Sequence, residues 1–124
     1  MAARIIKGRS LSHMKKLADD ALKARLYVSG WCLSGELLNI RDYLSETSNE
    51  RPFYDIAVAY EDGNAVGVSI INEHGNIQVF VRKAKRHNGY GRKLVRKIRR
   101  EGAYGLCGAD GEGKIFTENG SDFH

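Results

Sequence analysis

The chain has 124 residues, of which 42% are hydrophobic and 28% charged. That composition excludes the disordered and fibrous classes, and a domain of this length buries about two-thirds of its unfolded surface, so one domain over residues 1–124 with a real core is expected. The net charge of +5 is local: 10 of the 20 Lys and Arg stand between Arg82 and Arg100, a stretch without an acidic residue, so the basic character belongs to a site.

Leu11, Met14, Leu17, Ala18, Ala21, Leu22 and Leu26 recur at three- and four-residue steps and predict a first helix, capped by Ser10 or Ser12. Ser34 ahead of Glu36, Leu37, Ile40, Arg41 and Leu44 predicts a second, shorter helix, so two helices are expected before the sheet. From Tyr54 the period changes to two. Tyr54, Ile56, Val58 and Tyr60 predict a strand, Glu61–Asn64 a hairpin turn, and Ala65–Ile71 the return strand. Asn72–Asn76 reads as a second turn, and Ile77, Val79 and Val81 as the third strand of a meander. Leu94, Val95 and Ile98 give a third helix, from about Gly91 to Arg100, an apolar stripe that docks it on the sheet. Ala103–Cys107 is expected to add one more short strand.

The stretch from Val81 to Arg92 lies where a strand ends and a helix begins. Unpaired backbone N–H groups converge at such a junction, and the helix dipole adds partial positive charge. Gly89 and Gly91 let the chain turn tightly and let a ligand approach the backbone, a geometry suited to a pyrophosphate, with nearby arginines adding charge-assisted contacts. Gly-x-Gly by itself is weak. Neither the Walker spacing nor the third glycine of a dinucleotide fingerprint is present.

In its setting after a three-stranded meander, Arg86-x-x-Gly89-x-Gly91 resembles the Q/R-x-x-G-x-G/A signature of the GNAT acetyltransferases. The order of elements from Arg4 to Cys107 is also similar to that family's. The resemblance implies an α/β fold of the α+β kind, a mixed, mostly antiparallel sheet flanked by helices, in a short or C-terminally truncated member. It further implies an N-acetyltransferase with acetyl-coenzyme A as co-substrate. Phe80 and Val81 would pair with the pantetheine amides, and Arg86, His87, Asn88, Gly89, Tyr90, Gly91 and Arg92 would surround the pyrophosphate. Two departures stand out: Lys83 occupies a place where many members have proline, and Phe116 stands in the place of a tyrosine that often protonates the departing thiolate.

Acetyl transfer needs a polarised thioester and a neutral amine. A backbone amide near Phe80 or Val81 is the candidate oxyanion donor, Glu73 and His74 are the candidate bases, and Tyr104 is the candidate acid. The plainer reading of Glu73 and His74 is that they solvate a turn, and of Tyr104 that it packs. The expected partner is an amine-bearing acceptor, small molecule or protein. An abbreviated C-terminal sheet would leave an edge for a homodimer. One alternative is a nucleic-acid-binding protein, although aromatic interleaving is poor, with Tyr90 as the one such ring inside the basic stretch; another is a coenzyme-binding protein that has lost activity. Cys32 and Cys107 form neither a C-x-x-C nor a zinc spacing, so no metal and no disulfide are expected. With no signal-peptide core and no apolar run near the ~20 residues of a membrane helix, a cytoplasmic setting is expected.

Overall fold

The computed structural model describes residues 4–27, 32–43, 54–71, 77–98, 106–109 and 115–117. Strand β1 (Arg4–Lys7) precedes helices α1 (Leu11–Lys23) and α2 (Cys32–Leu38); strands β2 (Asp55–Glu61), β3 (Asn64–Ile71) and β4 (Ile77–Val81) follow. Helix α3 (Tyr90–Ile98) then leads to β5 (Leu106–Ala109) and β6 (Ile115–Thr117). These strands form one sheet in the order β1 to β6, antiparallel at each pairing except the parallel β4–β5. The mixed, mostly antiparallel sheet flanked by helices is the architecture that the sequence implies.

Ser10, not Ser12, caps α1: its side chain accepts the N–H of His13 at 3.2 Å. The helix stops short of Leu26 because Arg25 takes a left-handed φ of 56°, and the N–H of Leu26 turns back to the carbonyl of Ala21 at 3.0 Å. Helix α2 begins at Cys32, so Ser34 lies inside it rather than at its cap, and its last turn widens into a π turn over Asn39–Tyr43. Helix α3 begins one residue earlier than expected, at Tyr90. The Asn72–Asn76 turn lies outside the described residues.

Two further differences concern the sheet. Strand β1 comes ahead of both helices, which the sequence reading placed first. Its Ile5 and Ile6 are adjacent rather than alternating because one packs toward each core, and so it lacks the period of a half-exposed strand. Among the described residues there are two strands after α3, β5 and β6, where one was expected; Leu106 and Cys107 of the expected strand are on β5, and Ala103–Gly105 lie outside the described residues.

Strands β2, β3 and β4 are covered on both faces. Ile56, Val58, Val68, Ile70 and Phe80 pack with Leu17, Leu37 and Ile40 under α1 and α2. Ala57, Ala59, Ile77, Val79 and Val81 pack with Leu94, Val95 and Ile98 under α3. Every residue of β4 is buried, so the strand is fixed from two sides before it reaches the loop that follows. Ser69 of β3 is fully buried and its hydroxyl donates to the carbonyl of Leu94 at 2.9 Å, which ties α3 to the sheet at one point. On the other face, the hydroxyl of Tyr60 donates to the Asp20 carboxylate at 2.5 Å, and Lys16 pairs with the same oxygen at 2.8 Å.

Two outcomes follow for stability. Ser69→Ala leaves the volume nearly unchanged but removes a buried hydrogen bond, so urea unfolding should show a loss of about 1 kcal/mol. Burial pushes the Asp20 carboxyl up, but hydrogen bonds from Lys16 and Tyr60 and the charges of Lys16 and Lys23 outweigh it and hold the group below its ordinary 3.8. A depressed carboxyl stabilises the fold above its unfolded value, and the contribution is lost as pH falls through the folded value. Wild-type stability should therefore fall more steeply on acidification below about pH 4 than that of Asp20→Asn, and the two curves should converge at the acid end. A gap between them that stays constant with pH would show that the carboxylate charge contributes nothing.

Candidate functional site

The site begins where β4 parts from β5. Among the described residues the parallel ladder runs from Ile77↔Leu106 to Val79↔Gly108, while on its other side β4 stays paired with β3 as far as Gly67↔Val81. Beyond Val79, then, β4 has an edge that the β5 ladder does not use. Direction along that edge follows from one bond: the N–H of Arg82 donates to Val66 on β3 at 2.8 Å. Because backbone groups alternate sides along an antiparallel strand, the N–H and C=O of Val81 face the opposite way, toward the β5 side. Phe80, like Arg82, directs its backbone groups to β3. Its ring joins the core under α1 and α2.

After Val81 the chain makes a short 3-10 turn over Lys83–Lys85 and then an open arc into α3. His87 and Gly89 both take left-handed backbone, with φ of 68° and 80°. Alternating backbone hand of this kind curls successive N–H groups toward one side and makes an anion-binding concavity. Gly89 is the helix cap, since its carbonyl receives the first helical N–H, from Lys93 at 3.1 Å. The amides of Tyr90, Gly91 and Arg92 therefore make up the first turn, which the helix's own carbonyls cannot reach. A Cβ at Gly89 would meet nothing within 4 Å among the described residues, so there is room beside the backbone at that residue.

Side chains hold this arc in shape. The Nε of Arg86 donates to the carbonyl of Val81 at 2.8 Å, and its guanidinium stacks 5.4 Å from the centre of the Phe80 ring. Its Nη2 is buried without a hydrogen-bond partner among the described residues. Asn88 donates from its side chain to the carbonyls of Lys85 and Arg86 at 3.0 and 3.3 Å. Arg82 reaches the carbonyls of Ala24 and Ala65, joining the end of α1 to the same corner. Glu61, at the end of β2, accepts from Lys85 on one oxygen at 2.5 Å and from the hydroxyl of Tyr90 on the other at 2.6 Å. The hydrogen bonds from Lys85 and Tyr90 hold the Glu61 carboxyl below its ordinary range, and Glu61 in turn raises the Tyr90 hydroxyl.

The outer face of α3 is strongly positive: Arg92, Lys93, Arg96 and Lys97 are exposed, while Leu94, Val95 and Ile98 are buried. Open amides, a helix N-terminus, an unpartnered buried guanidinium nitrogen and surrounding cations fit a phosphorylated ligand.

Of the residues nominated from sequence, Phe80, Val81, Arg86, His87, Asn88, Gly89, Tyr90, Gly91 and Arg92 are together at this junction. Tyr90 turns its ring inward to the core under α3, so it presents the arc with an amide and not with its aromatic face. Glu73, His74 and Tyr104 lie outside the described residues. Phe116 stands on β6 opposite Gly108, which is itself opposite Val79, so residue 116 is in line with the point where the strands part. Glu61 was not legible as part of the site. It is far from the loop in sequence, and only the β2–β3 hairpin brings it there. No group of His, Cys, Asp and Glu among the described residues could hold a metal ion, and no helix among them is long and apolar enough to cross a membrane.

A family model described as acetyltransferase (GNAT) family matches residues 15–104. Solved structures share the fold. A protein of the GNAT family from Desulfovibrio desulfuricans aligns with TM-score 0.53 and 15% identity, over 86% of this chain and 72% of that one. A tandem GNAT protein from the clavulanic acid biosynthesis pathway aligns with TM-score 0.50 and 15% identity, over 86% of this chain and 36% of its own. An acetyltransferase of the GNAT family from Staphylococcus aureus Mu50 gives TM-score 0.48 and 17% identity, over 87% and 72%. No curated protein matches the chain. With the family model covering most of its length, this chain belongs to the GNAT family of acetyltransferases.

Proposed function

We propose that the chain carries acetyl-coenzyme A at the β4–α3 junction and transfers the acetyl group to an amine. The observation that carries this reading is the parting of β4 from β5 after Val79, directly ahead of an arc of amides that ends in a helix N-terminus. Family membership supplies the acyl-transfer chemistry, and the junction supplies a place for each part of the coenzyme. Amides from His87 to Arg92 would hold the pyrophosphate. The free edge of β4 would pair with the pantetheine arm, and the Nη2 of Arg86 offers a further donor.

When bound, acetyl-coenzyme A supplies an activated acyl thioester. Between the two amides nominated for the oxyanion, the geometry favours Val81, whose N–H faces the gap, over Phe80, whose N–H faces β3. Phe116 has no proton to give, which leaves Tyr104 as the candidate acid for the leaving thiol. Glu73 and His74 are the candidates to take a proton from the acceptor amine. Their roles are supported by sequence position alone. The acceptor is an amine on a small molecule or a protein. The outer strands of the described sheet, β1 and β6, leave edges through which a homodimer could form, and we include that assembly in the proposal.

Calorimetric titration with acetyl-coenzyme A tests the reading without needing the acceptor. Binding is expected, with ATP and pantetheine each binding more weakly because each satisfies only part of the site. Gly89→Val places a β-branched residue at a φ of 80° and should weaken binding by roughly tenfold or more, while the protein remains folded. Affinity that survives this change, and that collapses with added salt for nucleic acid instead, would replace the coenzyme reading with a polyanion-binding one. Light scattering that finds a monomer at high concentration would remove the dimer.

A further inference from the structure

We propose that Glu61 is a positioning residue for the phosphate-binding arc, a single carboxylate that fixes both of its ends. The inference rests on the coenzyme reading of that arc. Lys85 closes the 3-10 turn and Tyr90 opens α3; the residues between them, Arg86 to Gly89, make up the arc. One oxygen of Glu61 takes the Lys85 ammonium and the other takes the Tyr90 hydroxyl, at 2.5 and 2.6 Å, so the distance across the mouth of the arc is set by the width of a carboxylate.

Glu61 is itself held firmly. It pairs with Asn64 across a two-residue turn in which Asp62 and Gly63 both take positive φ, the geometry that matches the twist of a hairpin, and its side chain is only 17% exposed. Charge alone gives no reason for an acidic group here, since a carboxylate beside a pyrophosphate site opposes the ligand. Lys85 neutralises that opposition. What remains is geometry: an arc ordered before the ligand arrives does not lose that freedom on binding, so the staple raises affinity without touching the ligand. Because both contacts act through one carboxylate, removing Tyr90's hydroxyl after removing Glu61 should cost nothing more.

The test is calorimetry with coenzyme A and, separately, with pantetheine, which lacks the part that reaches the arc. Wild type, Glu61→Ala, Tyr90→Phe and the double variant are compared, with urea unfolding to establish that each is folded. Tyr90→Phe keeps the buried ring and removes only the hydroxyl. Expected are a coenzyme A affinity about tenfold weaker in Glu61→Ala, a smaller loss in Tyr90→Phe, and a double variant no weaker than Glu61→Ala, with pantetheine affinity unchanged throughout. Coenzyme A affinity that is unchanged in the folded single variants overturns the proposal. So do losses that multiply in the double variant, or a parallel loss for pantetheine, which would show general loosening. If wild type binds coenzyme A and Gly89→Val does not, the arc reading stands whatever Glu61 does; if wild type fails to bind, the arc reading itself is lost and the staple with it.

Discussion

A phosphate held by main-chain amides requires a chain that converges its N–H groups on one point and leaves them out of its own hydrogen bonds. Sheets and helices do the opposite with nearly every amide they contain. Between Val81 and Tyr90 the chain meets this demand in two ways: left-handed residues at 87 and 89 turn the backbone, and the first turn of α3 contributes donors that no helical carbonyl can reach. Such an arc has little stability of its own. It depends on the elements on either side being immobile, and both are anchored in the cores of the described sheet. All of β4 is covered, and α3 is anchored by Leu94, Val95, Ile98 and the bond from Ser69.

The two cores divide the work. Under α1 and α2 the packing includes Phe80, whose ring also receives the guanidinium of Arg86. Under α3 it includes Val79 and Val81, on the same strand but facing the other way. Strand β4 is thus gripped alternately from both faces up to its last residue, while the described ladder to β5 ends two residues earlier, at Val79. Releasing one edge of a strand whose faces are fully packed exposes backbone groups without loosening the strand, which is what a ligand that pairs as a strand would need.

Much of this was legible in the sequence because local physics produced it. The Arg86-x-x-Gly89-x-Gly91 spacing marks the arc since Gly89 is needed for its backbone conformation, and the three- and four-residue apolar steps of α1 mark its buried face. The hairpin at Asp62–Gly63 was readable for the same reason. Less legible were features that exist only by juxtaposition. Strand β1 has adjacent isoleucines because each packs, half-buried, toward a different core, and a pattern search for alternation passes over it. The strands β5 and β6 sit among glycines, whose presence argues locally for turns. Glu61 looks like an ordinary turn-flanking acid until the hairpin is laid beside the loop. The candidates Glu73, His74 and Tyr104 lie outside the described residues, so for them sequence remains the whole account.

Arg86 shows how one residue can be read correctly as to place and incompletely as to task. Its charge suggests a direct phosphate contact, yet its Nε is committed to the carbonyl of Val81 and its plane to the ring of Phe80. Lysine could supply the charge but not this fork, because only a planar guanidinium can brace a carbonyl with one nitrogen, lie on a ring and keep another nitrogen in reserve. The unpartnered Nη2 is that reserve. Leaving a buried donor unsatisfied costs the free protein about 1–3 kcal/mol, and an anion arriving at the arc would recover it. The same division holds across the junction: Asn88, Glu61 and the Nε and stacked plane of Arg86 set the shape, while the helix terminus and the exposed cations of α3 are the groups that would attract an anion, and they need no fixed position to act.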